Sequence, residues 1–347
     1  MNSNRTRPNL SQIAGLLGVS TATVSNALSG KGRVSSELAD KIRGMAADLG
    51  YMPSTAGRAL RTGRSRVLGL VLPDIANPLF PQIAQAIENA ASKAGYGILI
   101  ADSRGDVSMQ TEAISRLLER GVDGIVIVPR RGTRIADIGS PVAVIDSPST
   151  PGNTVSADHW QGGQLIADHL IALGHRKLLI LGNNPDSNVQ NDRIGGLKSR
   201  LPADVHCEVL WIEKQERCHG TGCALGLQQK VEEGFTAFAA VSDLHALRAL
   251  TELQRAGIRV PEQVSVTGFD DLIWSTVVTP ALTTIHMDMP LIAEIAIDAL
   301  VSVIERDSGD SEAGTEQPLS SASATRQQVP MSLIVRQTSG PPQTFPH

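Results

Sequence analysis

From residue 67 onward, short aliphatic runs alternate with amphipathic stretches that have the spacing of helices. Seven runs are rich in Val, Ile, Leu and Ala: Val67–Leu72, Gly97–Ala101, Gly124–Val128, Val142–Ile145, Lys177–Leu181, Ala237–Val241 and Val264–Phe269. Aliphatic strands that alternate with helices indicate parallel sheets covered on both faces. The pattern therefore predicts an α/β fold with doubly wound parallel sheets.

Two segments of this region share one pattern. AASKAGYGILIA and LIALGHRKLLIL each run from a helix through a glycine into a strand. The repeat indicates two similar lobes, each with its own sheet. Ligands of doubly wound folds bind at the carboxyl ends of the strands, so the sequence predicts a binding cleft between the lobes.

The N-terminal region has a different character. Residues 10–35, LSQIAGLLGVSTATVSNALSGKGRVS, have the spacing of two short helices joined by a turn at Gly18. Ser20 is a natural N-cap for the second helix. The outward face of that helix carries small side chains: Thr21, Ala22, Ser25 and Asn26. A small polar face braced by another helix is the shape that enters a DNA major groove.

The charge distribution agrees with this hypothesis. Residues 1–66 contain ten Lys and Arg against three Asp and Glu, a net charge of +7, whereas the whole chain carries −4. A basic head on an acidic body favours polyanion binding at the head. The alternative is a solubilising charged face on a small helical bundle.

The bulk composition excludes several classes of protein. Three Cys in 347 residues favour a reducing compartment without a disulfide framework. Cys218, His219 and Cys223 lack a second ligand pair at zinc spacing, so neither a metal nor a cofactor is expected. No apolar signal segment is visible, and the aliphatic runs fall far short of the roughly 20 residues that a membrane helix needs. These features predict a soluble, cytoplasmic protein without a membrane partner.

Several motifs, in order along the chain, carry a family resemblance. They are NLSQIAGLLGVSTATVSNALSGKGRVS, LGYMPSTAGRALRTGRS, VLGLVLPDIANPLF, RGVDGIVIVP, PVAVID, HLIALGHRK, RIGGL, GIRVPEQVSVTGFDD and TPALTTI. In this combination the chain resembles the LacI/GalR family of transcriptional regulators over essentially its whole length. The resemblance implies a helix-turn-helix head, a hinge, and a two-lobed body similar to periplasmic sugar-binding proteins.

The resemblance also implies domain boundaries. Residues 1–50 would form the all-α head and 51–65 the hinge helix and linker. The expected lobes are 66–157 with about 287–306 for the N-terminal one, and 158–286 with about 329–338 for the C-terminal one. Residues 307–328 are rich in Ser, Gly, Glu and Gln, a composition typical of a flexible loop.

In the head, the resemblance assigns two sets of DNA contacts. Thr21, Ala22 and Asn26 fall where the family reads base edges, since Asn pairs with adenine and Ala or a Thr methyl contacts thymine. Positions near phosphates or groove edges are Ser20, Thr23, Ser25, Arg33 and Ser35. Helix packing is the alternative for Thr23 and Ser25, and simple solvation is the alternative for Arg33.

In the hinge, the resemblance implies minor-groove contacts by Ser54, Gly57 and Leu60. Leu60 occupies the place of an apolar wedge, which unstacks bases at the operator centre. Gly57 departs from the Ala that the family often has there, and glycine lowers helix propensity by about 1 kcal/mol. We therefore expect this helix to form only when something holds it.

In the body, the resemblance implies a small effector, a sugar or sugar derivative. The candidate contacts are Phe80, Asp146, Trp160, Arg193, Asp270 and Trp274. Arg193 lies in RIGGL and Asp270 in GFDD; an arginine suits hydroxyl or acidic groups, and a carboxylate suits sugar hydroxyls. Phe80 has core packing as its alternative, Asp146 a strand-end cap, and the two Trp packing or a dimer interface. Ser242 stands where relatives often have Asn, so no single relative's effector transfers.

Enzymatic motifs are lacking. The glycines of GTGCALG do not have dinucleotide spacing, and neither a P-loop nor a nucleophile elbow is present. Two functions therefore stay open: a ligand-responsive DNA-binding regulator, and a solute-binding module without DNA binding. We expect the first, as a homodimeric repressor on a pseudo-palindromic double-stranded operator. A dimer is expected rather than a tetramer because no apolar heptads follow the last strand.

Overall fold

In the computed structural model, the described part of the N-terminal unit contains three short helices, and an α/β body follows. The structure describes residues 8–30, 32–51, 63–135, 138–147, 152–306 and 327–343. Contacts divide the chain into two units, Met1–Ser65 and Arg66–His347.

Polar N-cap side chains fix where each described helix of the N-terminal unit begins. Its helices are α1 (Leu10–Leu17), α2 (Thr21–Ser29) and α3 (Ser36–Asp48). Each begins after a side chain that accepts a backbone N–H, and these caps are Asn9, Ser20 and Ser35. The predicted cap at Ser20 is confirmed. Ile13, Val24 and Ile42 are fully buried and hold the three helices together.

The N-terminal lobe of the body is built on a six-stranded parallel sheet with the order β11-β5-β4-β3-β1-β2. The strands are β1 (Val67–Leu72), β2 (Gly97–Asp102), β3 (Gly124–Ile127), β4 (Val142–Ile145), β5 (Asn153–Ala157) and β11 (Gln327–Val329). The helices that pack on this sheet are α4 (Leu79–Lys93), α5 (Val107–Glu119) and α12 (Met289–Arg306).

The C-terminal lobe has a four-stranded parallel sheet with the order β7-β6-β8-β9. Its strands are β6 (Lys177–Gly182), β7 (His206–Trp211), β8 (Ala237–Ala240) and β9 (Ser265–Thr267). Its helices are α6 (His159–Ala172), α7 (Asn188–Ser199), α8 (Ile212–His219), α9 (Leu227–Glu232), α10 (Asp243–Arg255) and α11 (Trp274–Val277). A separate antiparallel pair joins β10 (Thr284–His286) to β12 (Ser332–Ile334).

Within the described residues, the chain passes between the lobes three times. The crossings lie between β5 and α6, between β10 and α12, and between β11 and β12. The predicted fold class, a helical head with a two-lobed body of parallel sheets, is confirmed. No helix among the described residues is both long and apolar enough to cross a bilayer.

The structure corrects one predicted boundary. Gln327–Val329 pairs in parallel with Val155–Ala157, so the loop expected over 307–328 ends before Gln327. Val329 accordingly lies in the sheet of the N-terminal lobe, although we expected it in the C-terminal lobe. The two glutamines are exposed at the sheet edge. This segment therefore lacks the apolar residues by which a strand is recognised in a sequence. Residues 307–326 lie outside the described residues.

Candidate functional site

The outward face of α2 is open to solvent. Thr21, Ala22 and Asn26 are exposed, whereas Val24 and Ala27 on the opposite face are buried against the other two helices. The loop that follows α2 approaches this face, because a Cβ on Gly32 would lie 3.1 Å from the amide nitrogen of Asn26. The three residues predicted to read bases thus share one accessible surface.

The residues predicted to contact phosphates have mixed surroundings. The Ser20 hydroxyl accepts the N–H of Thr23 at 3.0 Å and lies 2.9 Å from the Thr23 hydroxyl. Ser35 caps α3 by accepting the N–H of Leu38 at 3.4 Å. Arg33 is exposed, and Thr23 and Ser25 are half-buried. The three predicted hinge residues, Ser54, Gly57 and Leu60, lie outside the described residues.

A chain of four buried polar side chains connects the two lobes of the body. His159 Nε2 lies 2.7 Å from Asp146 Oδ1, and His159 Nδ1 lies 3.2 Å from Arg193 Nε. Arg193 Nη2 lies 2.9 Å from Asp270 Oδ1. Each of the four is at most 6% exposed. Asp146 follows β4 of the N-terminal lobe, and the other three belong to the C-terminal lobe.

Arg193 has two further contacts besides His159 and Asp270. Its Nη1 donates to the carbonyl of Val241 at 2.6 Å, and its guanidinium lies 4.0 Å from the ring centroid of Phe269. A cation over an aromatic face gains electrostatic attraction when both are desolvated. The side chain is therefore fixed in one orientation at the carboxyl ends of β8 and β9.

Burial and charge act oppositely on the two carboxylates. Burial raises the pKa of Asp270 to about 7 against the opposing charge of Arg193, and Asp243 and Asp146 add to the rise. Burial alone would raise the pKa of Asp146 too, but its contacts with His159 and the charge of Arg193 hold that pKa below its usual range. The neighbouring groups therefore stabilise the negative charge of Asp146 better than that of Asp270.

The backbone at these carboxylates is strained. Asp146, Asp270 and Asp271 have φ values of 54°, 104° and 51°, in the region that favours glycine. Such residues cost about 1–3 kcal/mol each and cluster at functional sites. The neighbouring Asp271 does not face the buried chain, because its carboxylate pairs with Arg336 at 2.6 Å and with His286 at 3.0 Å.

Glycines place Arg193 against the first turn of α6. A Cβ on Gly163 of α6 would lie 2.1 Å from the carbonyl oxygen of Arg193, and a Cβ on Gly196 of α7 would lie 2.0 Å from that of Trp160. Neither position accepts a side chain without moving backbone. The two helices therefore cross in direct backbone contact, next to His159.

The structure brings together only some of the predicted effector contacts. Asp146, Arg193 and Asp270 belong to the buried chain, but among the described residues no side-chain hydrogen bond, ion pair or ring contact joins Phe80, Trp160 or Trp274 to it. Phe80 packs against the core of the N-terminal lobe. The ring of Trp160 covers Gly195, and Trp274 is 42% exposed in α11.

Two residues that contact Arg193, namely His159 and Phe269, were missed by sequence reasoning. His159 directly precedes Trp160, and Phe269 lies in the quoted GFDD motif. A histidine at the first position of a helix after a strand was the available signal for His159. No group of three or more His, Cys, Asp or Glu among the described residues is arranged to hold a metal ion.

Comparisons with known proteins agree with this architecture. Residues 9–54 match the bacterial regulatory proteins of the lacI family, and residues 167–339 match the periplasmic binding protein-like domain. The chain is 29% identical over 305 residues to the ribose operon repressor of Haemophilus influenzae, covering 85% of this chain and 92% of the relative. It is 28% identical over 306 residues, with the same coverage of both, to the HTH-type transcriptional repressor PurR of Aliivibrio salmonicida.

A solved structure is similar to the chain over nearly its full length. The lac repressor dimer bound to operator and the anti-inducer ONPF is similar with a TM-score of 0.77 and 26% identity, covering 96% of this chain and 100% of that one. The chain belongs to the LacI family. This LacI-family protein is a DNA-binding transcriptional regulator, and its relatives are transcriptional repressors rather than enzymes.

Proposed function

We propose that this LacI-family protein represses transcription as a homodimer on a pseudo-palindromic operator, under the control of a carbohydrate-like effector in the interlobe cleft. The observation that carries the proposal is the buried chain from Asp146 to Asp270. It places fixed hydrogen-bonding groups of both lobes at the carboxyl ends of parallel strands, where doubly wound folds bind ligands.

On the DNA side, the exposed face of α2 supports major-groove reading. Thr21, Ala22 and Asn26 would read base edges, and Ser20, Thr23, Ser25, Arg33 and Ser35 would lie near the sugar-phosphate backbone. Ser54, Gly57 and Leu60 would meet their partner's hinge in the minor groove. The operator-bound dimer of the similar lac repressor supports this arrangement.

An apolar patch supports the homodimer. Asp243 Oδ2 accepts the N–H of Leu272 at 2.7 Å and the hydroxyl of Ser275 at 2.6 Å, and so holds the start of α10 beside α11. Four exposed apolar side chains lie on these two helices or at the N-cap of α11: Leu244 (39%), Ile273 (68%), Trp274 (42%) and Val277 (69%). Grouped exposed apolar residues mark interaction surfaces. We therefore place Trp274 in the contact between two copies rather than in the effector site.

On the effector side, the buried chain supports recognition of hydroxyl groups. The carboxylates of Asp146 and Asp270 accept hydrogen bonds from hydroxyls, and Arg193 donates them. Phe80 and Trp160 would supply apolar surface near the cleft. Binding that changes the relation of the lobes would act on the hinges, and a coupling of typically 1–3 kcal/mol changes operator affinity about 5–150-fold.

The test is selection of a preferred duplex from a random pool, followed by anisotropy titrations of that duplex and a scrambled one at two salt concentrations. Asn26→Ala is expected to reduce the preference about 5–150-fold, because a bidentate base contact contributes about 1–3 kcal/mol. Arg33→Ala is expected to weaken both duplexes alike and to lower the salt slope by about 1.

Ser11→Ala, an exposed position of α1, is the matched control and should leave both affinities unchanged. A wild-type protein that never prefers the selected duplex over the scrambled one would refute the proposal and favour a solute-binding module. A panel of sugars in a thermal-shift assay then identifies the effector, because ligands that bind the folded state raise its stability.

A further inference from the structure

His159 occupies the point where the chain enters the C-terminal lobe. It is the first residue of α6, follows the N-cap Asp158, and is 1% exposed. Its two ring nitrogens face different lobes, Nε2 toward Asp146 and Nδ1 toward Arg193. Among the described side chains, it joins the predicted effector contacts of the two lobes directly.

The hydrogen bonds of this imidazole determine where its proton lies. An arginine Nε–H can only donate, so Nδ1, which lies 3.2 Å from Arg193 Nε, must accept. The single ring proton then lies on Nε2 and is donated to Asp146 Oδ1 at 2.7 Å. A second proton on Nδ1 would place two N–H groups against each other.

Charged groups lie on several sides of the ring. Asp146 contacts it from the end of β4, Asp192 lies in α7, and Asp158 caps α6 directly before it. On the Nδ1 side, the Nε–H of Arg193 requires an acceptor.

We propose that His159 is a positioning residue of the effector cleft, acting as a neutral imidazole protonated on Nε2. In this state it fixes the guanidinium of Arg193 against Asp270 and Phe269, and it ties that arrangement to Asp146 in the other lobe. The inference rests on the proposed roles of Arg193, Asp146 and Asp270 in effector binding. His159 itself sets the geometry of these groups.

The direct test is nitrogen NMR of the full chain labelled with ¹⁵N-histidine, at pH 7, without DNA or effector. The signal that disappears in His159→Asn identifies His159 among the eight histidines of the chain. We expect a protonated Nε2 and an unprotonated Nδ1. An imidazolium, or a proton on Nδ1, in the wild-type protein would overturn the proposal.

A second measurement follows Arg193 itself, through the hydrogen exchange of its Nε–H. His159→Leu removes the acceptor, and we expect exchange to accelerate about tenfold or more, as for loss of a hydrogen bond to a charged group. His159→Asn retains an oxygen near the place of Nδ1 and should largely restore the wild-type rate. His206→Asn is the control, because His206 is an exposed histidine paired with Glu208.

Equal exchange in the wild type and His159→Leu would overturn the proposal. If His159→Leu does not fold, the tautomer of the wild-type ring still decides the question. Both measurements omit DNA and effector, so their failure would leave the repressor proposal standing. Conversely, a lack of operator preference would leave the assignment of the imidazole intact.

Discussion

The close crossing of α6 and α7 predicts a large effect from a single methyl group. In Gly196→Ala the new Cβ would lie 2.0 Å from the carbonyl oxygen of Trp160 and 2.8 Å from its carbonyl carbon. Ordinary carbon–oxygen contacts are about 3.3–3.6 Å, so the helices must separate by about 1 Å or more. Overpacking costs about 1–3 kcal/mol, and clashes with backbone favour the upper end. Alanine regains about 1 kcal/mol of helix propensity, which leaves a net loss of about 2 kcal/mol.

Urea unfolding followed by circular dichroism measures this loss against two matched controls. In Gly195→Ala the new Cβ meets a ring atom of Trp160 at 2.5 Å, but that side chain is 46% exposed and can rotate away, so we expect little net change. Gly44→Ala in α3 meets nothing within 4 Å and should stabilise the head by up to about 1 kcal/mol. A Gly196→Ala protein no less stable than Gly195→Ala would show that the backbone of α6 does not exclude a side chain at position 196.

Two further predictions concern assembly and acid stability. Val277→Asp should sediment as a monomer in analytical ultracentrifugation at micromolar concentration. Val335, also a valine and 57% exposed, lies outside the patch, so Val335→Asp should remain dimeric. A dimeric Val277→Asp would show that the patch is not the dimer contact. Burial lowers the pKa of His175 from 6.5 to about 4, so the unfolded chain binds the proton more readily. The free energy of unfolding is unaffected by this group above pH 6.5, and it falls by about 3 kcal/mol as the pH drops from 6.5 to 4. The free energy of unfolding of His175→Asn should therefore depend less steeply on pH in this window. Part of the slope should remain, because burial also lowers the pKa of His245 to about 4. A slope equal to that of the wild type would contradict the assignment to His175.

The strands that sequence reasoning found are those with an aliphatic pattern, such as β1, β4 and β6. It missed β5, which is buried throughout but reads NTVSA. The register between β4 and β5 shifts beside Ile145, and side-chain oxygens there accept backbone N–H groups in place of carbonyls. The Thr154 hydroxyl accepts the N–H of Val144 at 3.0 Å, and Asn153 Oδ1 accepts that of Ser147 at 3.2 Å. Polar residues that serve the backbone in this way hide a buried strand from any hydropathy pattern.

The candidate site was predictable only where a motif identified its residues. Arg193 and Asp270 lie in recognisable motifs, RIGGL and GFDD, and the structure joins them in one ion pair. His159 could not be selected, because its role depends on Asp146 and Arg193, which are 13 and 34 residues away along the chain. Only the folded arrangement of two lobes shows that one imidazole contacts both.

Burying the four polar side chains of this chain is unfavourable, and the least satisfied of their atoms is the one where a bound hydroxyl would add most to affinity. Burying a carboxylate is unfavourable unless its oxygens are hydrogen-bonded. Asp270 Oδ1 lies 2.9 Å from Arg193 Nη2, yet it makes no aligned hydrogen bond to any described residue, and its pKa is raised to about 7. A hydroxyl that donates to this oxygen would supply the missing hydrogen bond and favour the ionised carboxylate. If Asp270 contacts the effector, as proposed, a neutral polyol would gain more there than an anion, which would add to the negative charge of Asp146 and Asp243.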